Sequence, residues 1–258
     1  MNARDDGLDG LLDRCGSFEN IDKQMIADTV AKSLKAKHPT GRLLDLEDRW
    51  YASLADPDYS VYGDPVYIAE AWCCYWIYSR KYLKTIRSDC SFSNSRSVLD
   101  VLGDVNTLVD VGCGYGHTAA TWTDLLPDAT VFGTNVPDTL QMNVARQMGD
   151  EYGFEMRDGL FECDADVVFA SEYFEHMLDP ITHLRELVAA MNPKVILTAN
   201  AFGQRAIGHF LEYRVGSITY HGKQMNKVFA FAMDRLGYSR VKSRMWNQRP
   251  ALWARTGE

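Results

Sequence analysis

The chain of 258 residues carries 27 lysines and arginines against 35 aspartates and glutamates, a formal net charge of -8. That balance argues against a protein that coats nucleic acid over its whole surface. With 46% hydrophobic and 24% charged residues it has the ordinary composition of a soluble globular protein, enough for one large domain with a substantial core and a modest accessory segment.

No apolar run approaches the roughly 18 residues of a membrane span, and the acidic, polar start MNARDDGLDGLLDRCG does not read as a secretory signal. A cytoplasmic protein without membrane contact is expected. Six cysteines, at 15, 73, 74, 90, 113 and 163, form no CxxC pair and no regular framework, so they read as reduced thiols.

Residues 1 to 60 show short helical patterns broken by PTG and ADPD. In 66–86, Ile68, Trp72, Tyr75, Trp76, Ser79 and Leu83 recur at helical spacing and cover most of the circumference, which predicts a buried or lid helix. Residues 1–104 are thus expected to form a helical N-terminal segment that contributes to an acceptor pocket. From 107 onward strand and helix patterns alternate: TLVDVG, HTAATWTDLL, ATVFGTNV, DTLQMNVARQMG, GFEMRDG, ADVVFASEY, PITHLRELVAAM and KVILTAN. Such alternation predicts an α/β fold, a doubly wound, mostly parallel sheet with helices on both faces. A helix GKQMNKVFAFAMDRLG follows, then strands YSRVKSRMW and ALWART joined by NQRP; strands joined so tightly must be antiparallel. Residues 201–221 are too long for an ordinary connection and are read as a functional loop.

Two stretches carry chemistry. VDVGCGYGH (109–117) places Gly112, Gly114 and Gly116 at a strand-to-helix turn, where missing side chains let the backbone approach a nucleoside cofactor. The turn by itself suits several such cofactors, a nicotinamide dinucleotide among them, although no third glycine stands at the dinucleotide spacing. SEYFEHMLDP (171–180) holds Glu172, Glu175 and His176, with His183 further on, at spacings that on one helix would share a face. A metal site, an acid/base pair and a cofactor-side loop are the alternatives. Against a metal, Pro180 separates His183 into another helix, and neither HExxH nor HxxEH is present.

The order VDVGCGYG, a strand ending GTN, RDG, DVVFASEYFEH and KVILTAN resembles the class I S-adenosylmethionine-dependent methyltransferases over roughly residues 105–256. The resemblance implies a seven-stranded sheet with an antiparallel last strand, in agreement with the hairpin read from the C-terminus. It implies that 105–258 is the cofactor-binding core, with motif I at Asp110-Val111-Gly112-Cys113-Gly114-Tyr115-Gly116 and Asp110 holding the cofactor's amino group. Where the family has an acidic ribose ligand this chain has Asn135, followed by Val136. Asp158 matches the residue near the adenine amino group, with Gly159 and Leu160 beside the ring. The family often shows a run like SExxEHxxDP after its fourth strand, which places Ser171 and Glu172 next to the cofactor.

The expected activity is methyl transfer to an oxygen or nitrogen of a small or medium-sized acceptor, without a metal. His176, or Glu175 beside it, is the candidate base, and a purely structural loop is the alternative. Tyr78, Arg80, Lys81 and Tyr82, with Arg205, His209, Tyr213 and Arg214 in the long loop, are the acceptor-binding candidates, since rings and guanidinium groups suit a planar or phosphorylated acceptor. A nucleotide or nucleic-acid acceptor stays open, with Trp246 and Trp253 as stacking surfaces beside Arg244 and Arg249. A simpler reading puts Arg240, Lys242 and Arg244 on the wet face of an edge strand. A non-catalytic cofactor-binding module also stays open. The pattern does not fix the oligomeric state.

Overall fold

The computed structural model describes residues 41–64, 66–68, 97–241 and 250–256, with isolated positions 24, 28, 71, 72, 79 and 86. An N-terminal helix α1 (Gly41–Ala52) leads to a 3-10 turn (Tyr59–Gly63) and, later, a short helix α2 (Val98–Leu102) opened by a Ser97/Asp100 capping box. The core then runs β1 (Thr107–Asp110), α3 (His117–Leu125), β2 (Thr130–Asn135), α4 (Leu140–Tyr152), β3 (Glu155–Asp158), β4 (Val167–Ser171), α5 (Pro180–Met191) and β5 (Val195–Ala199). A small hairpin, β6 (Glu212–Val215) and β7 (Ile218–His221), precedes α6 (Gly222–Arg235), β8 (Tyr238–Val241) and β9 (Ala251–Arg255). Of the helix expected over 66–86, the described positions 66–68, 71, 72, 79 and 86 are helical. Tyr78, Arg80, Lys81, Tyr82, Arg244, Trp246 and Arg249 lie outside the described residues. Among those described, no helix is long and apolar enough to cross a membrane.

Seven strands form one sheet in the order β3-β2-β1-β4-β5-β9-β8. The pairs from β3 through β5 are parallel, and β9 runs antiparallel to both β5 and β8. The last strand therefore sits inside the sheet, and β8 takes the edge. This is the class I methyltransferase fold, as the alternating pattern and the C-terminal hairpin predict.

The core follows from the two-residue period of a strand, which sends successive side chains to opposite faces. Leu108, Val167, Phe169, Leu197 and Leu252 go to one face and pack with α3, α4, Trp72 and Ile86. Val109, Val168, Ala170, Ile196 and Trp253 go to the other and pack with α5, α6 and Trp50 of α1. Strand β4 is buried on both faces, which is why Val167 to Ala170 are apolar without alternation.

Two corrections concern the C-terminal half. Residues 201–221 are no plain loop, because they end in the β6-β7 hairpin. Trp253 is no stacking surface: it is 6% exposed, and its indole Nε1 donates to Thr198 Oγ1 at 3.2 Å inside the sheet. Arg240 does lie exposed on edge strand β8, with its guanidinium 5.9 Å from the Trp253 ring centre.

Candidate active site

The carboxyl ends of β1, β2 and β4 meet where a doubly wound sheet binds its ligand. Gly112, Gly114 and Gly116 all adopt left-handed φ, at 68°, 59° and 88°. At Gly112 a Cβ would also overlap the Tyr173 ring, and at Gly116 it would strike Phe154. The loop is latched from β2: Asn135 Nδ2 donates to the Gly114 carbonyl at 2.8 Å, and Asn135 Oδ1 accepts from Val136 N at 3.0 Å.

Asp110, at the end of β1, is 2% exposed and accepts from Thr118 Oγ1 at 2.5 Å. Burial lifts its carboxyl to about 7, and the Thr118 hydrogen bond only partly opposes that rise. On β3, Asp158 is exposed and paired with Arg146 at 2.9 Å, in register with Asn135.

The second half of the site forms where the chain leaves β4. Ser171 is buried, and its hydroxyl has no hydrogen-bond partner among the described residues. Glu172 follows with φ at 49°, a sparsely populated conformation for a residue with a side chain, held by its amide donating to Ala199 O at 2.7 Å. A 3-10 turn, Phe174–His176, then carries Glu175 and His176. The two residues do not share a helical face with His183. Asp179 caps α5 by accepting from Ile181 N and Thr182 N, and His183 turns to the Tyr173 hydroxyl at 2.6 Å.

Glu175 is fully buried and accepts from Ala201 N at 2.8 Å. Burial, and then the neighbouring Glu172 charge, hold its carboxyl well above the usual range. His176 Nδ1 lies 3.2 Å from the Tyr62 hydroxyl, and its ring meets the His209 ring edge-on at 4.7 Å. Burial, reinforced by His209, lowers His176 to about 3, so its imidazole is neutral.

Several solved structures share this architecture. A mitomycin 7-O-methyltransferase aligns with a TM-score of 0.54 at 14% identity, covering 81% of this chain and 66% of its own. An O-methyltransferase family protein from Burkholderia thailandensis gives 0.56 at 14%, covering 84% and 71%. Human N-acetylserotonin methyltransferase, solved with S-adenosylmethionine, gives 0.53 at 13%, covering 95% and 69%. This chain thus spans 66% to 71% of the length of those proteins. No curated protein matches it in sequence. Residues 109–199, from the glycine loop through β5, match the family model described as a methyltransferase domain. Over that stretch the chain is similar to a methyltransferase domain, and its fold is that of the class I methyltransferases.

The remaining candidates fall in different places in the structure. Cys113 is buried, its Sγ 3.7 Å from Met156 Sδ, and burial raises its thiol further. Tyr115 is buried too and turns to the N-terminal segment, donating to Ile68 O at 3.3 Å and meeting Trp72 edge-on. Val136 and Gly159 are exposed beside β2 and β3. Arg205 is exposed, paired with Glu47 at 2.9 Å and stacked 4.1 Å over Tyr51. Tyr213 is buried in the core, where its hydroxyl donates to Phe210 O and its ring meets Phe202. Arg214 is exposed on β6.

His209 is the loop residue that joins the Glu172/Glu175/His176 cluster. Its position is set from α1, where Trp50 Nε1 donates to the His209 carbonyl at 2.9 Å. The sequence pattern did not point to Tyr62, Thr118 or Tyr173. Thr118 was within reach, because it opens the helix after the glycine loop. Tyr62 was not, because 114 residues separate it from His176.

Proposed function

We propose that this methyltransferase moves a methyl group from S-adenosylmethionine to an oxygen or nitrogen of a small or medium-sized acceptor. The observation that carries the reading is the glycine loop with buried Asp110 beneath it. Once ionised, Asp110 is a counter-charge for the amino group of the cofactor, and a bound ammonium would remove much of the penalty that burial imposes.

The other residues fit the same group. Asn135 spends one amide hydrogen on Gly114 and one lone pair on Val136, which leaves a donor and an acceptor for ribose hydroxyls. Asp158 spends one oxygen on Arg146. When bound, S-adenosylmethionine supplies an electrophilic methyl on a good leaving group, so the protein has chiefly to align the acceptor and exclude water.

The acceptor is placed at the cluster where β4 ends, bounded by Glu172, Glu175, His176 and His209, with Tyr62 from the N-terminal segment as part of the lid. Held by Tyr62, the neutral His176 orients the acceptor. Burial holds the Glu175 carboxyl above its usual range, so Glu175 and not the neutral His176 is the group at this cluster that holds a proton. Mitomycin and N-acetylserotonin, which name two of the structural neighbours, are small molecules, and the burial of Trp253 removes one support for a nucleic-acid acceptor.

Titration calorimetry of the purified protein with S-adenosylmethionine, S-adenosylhomocysteine and a nicotinamide dinucleotide tests the reading. The two sulfur compounds should bind and the dinucleotide should not. Binding without methyl transfer to any pool of small acceptors would make the protein a binding module.

A further inference from the structure

The two glutamates after β4 converge with a histidine that arrives from beyond β5. One carboxylate oxygen each from Glu172 and Glu175 and one ring nitrogen of His209 all lie within 4.8 Å of one another. Glu175 uses Oε1 for the Ala201 amide, while its Oε2 is buried and has no hydrogen-bond partner among the described residues. A buried carboxylate oxygen left in that condition is costly, and a second carboxylate facing it adds repulsion. A proton or a cation would relieve both.

The third member favours the cation. His209 Nδ1 stands 3.0 Å from the Gln204 carbonyl, and a carbonyl can only accept, so the ring proton sits on Nδ1 and the lone pair on Nε2. Imidazoles that ligate metals are oriented in this way, their far nitrogen donating to a carbonyl or carboxylate. Trp50 fixes the backbone of the same residue, and the left-handed φ of Glu172 turns its side chain out of the strand direction.

We propose that Glu172, Glu175 and His209 bind a divalent metal ion. Two carboxylates neutralise its charge, and their oxygens with one imidazole make a set suited to Mn2+, Mg2+ or Fe2+ more than to the soft metals. Three protein ligands leave coordination positions for an acceptor, so the class of acceptor is one that offers an oxygen ligand, an alcohol or a phenol. This last step rests on the methyl-transfer reading. The metal would favour loss of the hydroxyl proton to solvent; the oxygen then forms its bond to the methyl carbon as the carbon–sulfur bond breaks, and S-adenosylhomocysteine leaves. The arguments against a metal concern His183 and the HExxH and HxxEH spacings, and none of them includes His209, which arrives from beyond β5.

The full chain, stripped by dialysis against a chelator, is titrated with Mn2+ by calorimetry and by the loss of the free-ion paramagnetic resonance signal. A single saturable site is expected. Glu175→Gln, which keeps an oxygen for the Ala201 amide, and His209→Ala should each weaken it by at least about tenfold. His221→Asn, on exposed β7, should bind as the parent does. Thermal melts and S-adenosylmethionine affinity measured on the same samples report whether each variant is folded. If Glu175→Gln does not fold, the half-buried Glu172→Gln takes its place. Absence of Mn2+ binding by the parent, or equal binding by the ligand variants, overturns the metal site whatever the cofactor result. Mn2+ binding without cofactor binding keeps the site and overturns the methyl-transfer reading.

Discussion

Asn135 Nδ2 donates to the Gly114 carbonyl at 2.8 Å, so the residue that ends β2 holds the glycine loop in shape. An ionised aspartate has no hydrogen to give and would set a carboxylate oxygen against that carbonyl. Asn135→Asp should therefore lower the melting temperature, by the few degrees that about 1 kcal/mol produces, and weaken S-adenosylmethionine binding. Calorimetry on the variant decides the matter: tighter binding would mean that a ribose-binding carboxylate outweighs the latch.

Asp110, lifted to about 7 by burial, gives a pH dependence whose sign is fixed. Between about pH 4 and 7 the folded protein keeps a proton on Asp110 that the unfolded chain has released, so this group's contribution to stability falls as pH rises through that interval and is level above it. Affinity for the cofactor should run the other way, increasing as Asp110 ionises around pH 7. Asp110→Asn should bind weakly at every pH and lose that slope. Isotherms collected from pH 5.5 to 8.5 would expose a flat parent profile, and with it a different role for Asp110.

The Tyr62 hydroxyl, from the N-terminal segment, lies 3.2 Å from His176 Nδ1 in the core. Tyr62→Phe keeps the ring and its edge-on contact with Tyr67 but removes the hydroxyl that faces His176 Nδ1. Turnover is expected to drop by roughly tenfold, which corresponds to about 1.4 kcal/mol, while KM for the cofactor stays near the parent value. Matched kcat values for parent and variant would reduce Tyr62 to packing.

Tyr213 and Arg205 separate a core role from an acceptor role. Tyr213→Phe strands the Phe210 carbonyl that its hydroxyl serves and should cost about 1 kcal/mol in denaturant unfolding without altering turnover. Arg205→Ala, at an exposed ion pair stacked on Tyr51, should change stability by less than about 1 kcal/mol. An increased acceptor KM for Tyr213→Phe would return that residue to the acceptor site.

The sequence by itself determined the sheet and the glycine loop at the end of β1. Strand and helix periods and Pro180 and Asp179 at the start of α5 are local signals, each decided within a few residues, and the helix Pro180–Met191 begins and ends where its pattern does. The glycine loop is local in the same sense. Tertiary structure decided what Glu172 and Glu175 face. His209 reaches them only because β5 lies beside β4 in the sheet and α1 pins the following loop through Trp50. It also sent Tyr213 and Trp253 inward, since both are amphipathic side chains whose pattern is the same in a core or at a surface. Side chains far apart in the chain carry no shared period, so their meeting is written in the packing of the two faces of the sheet and not in any one stretch of sequence.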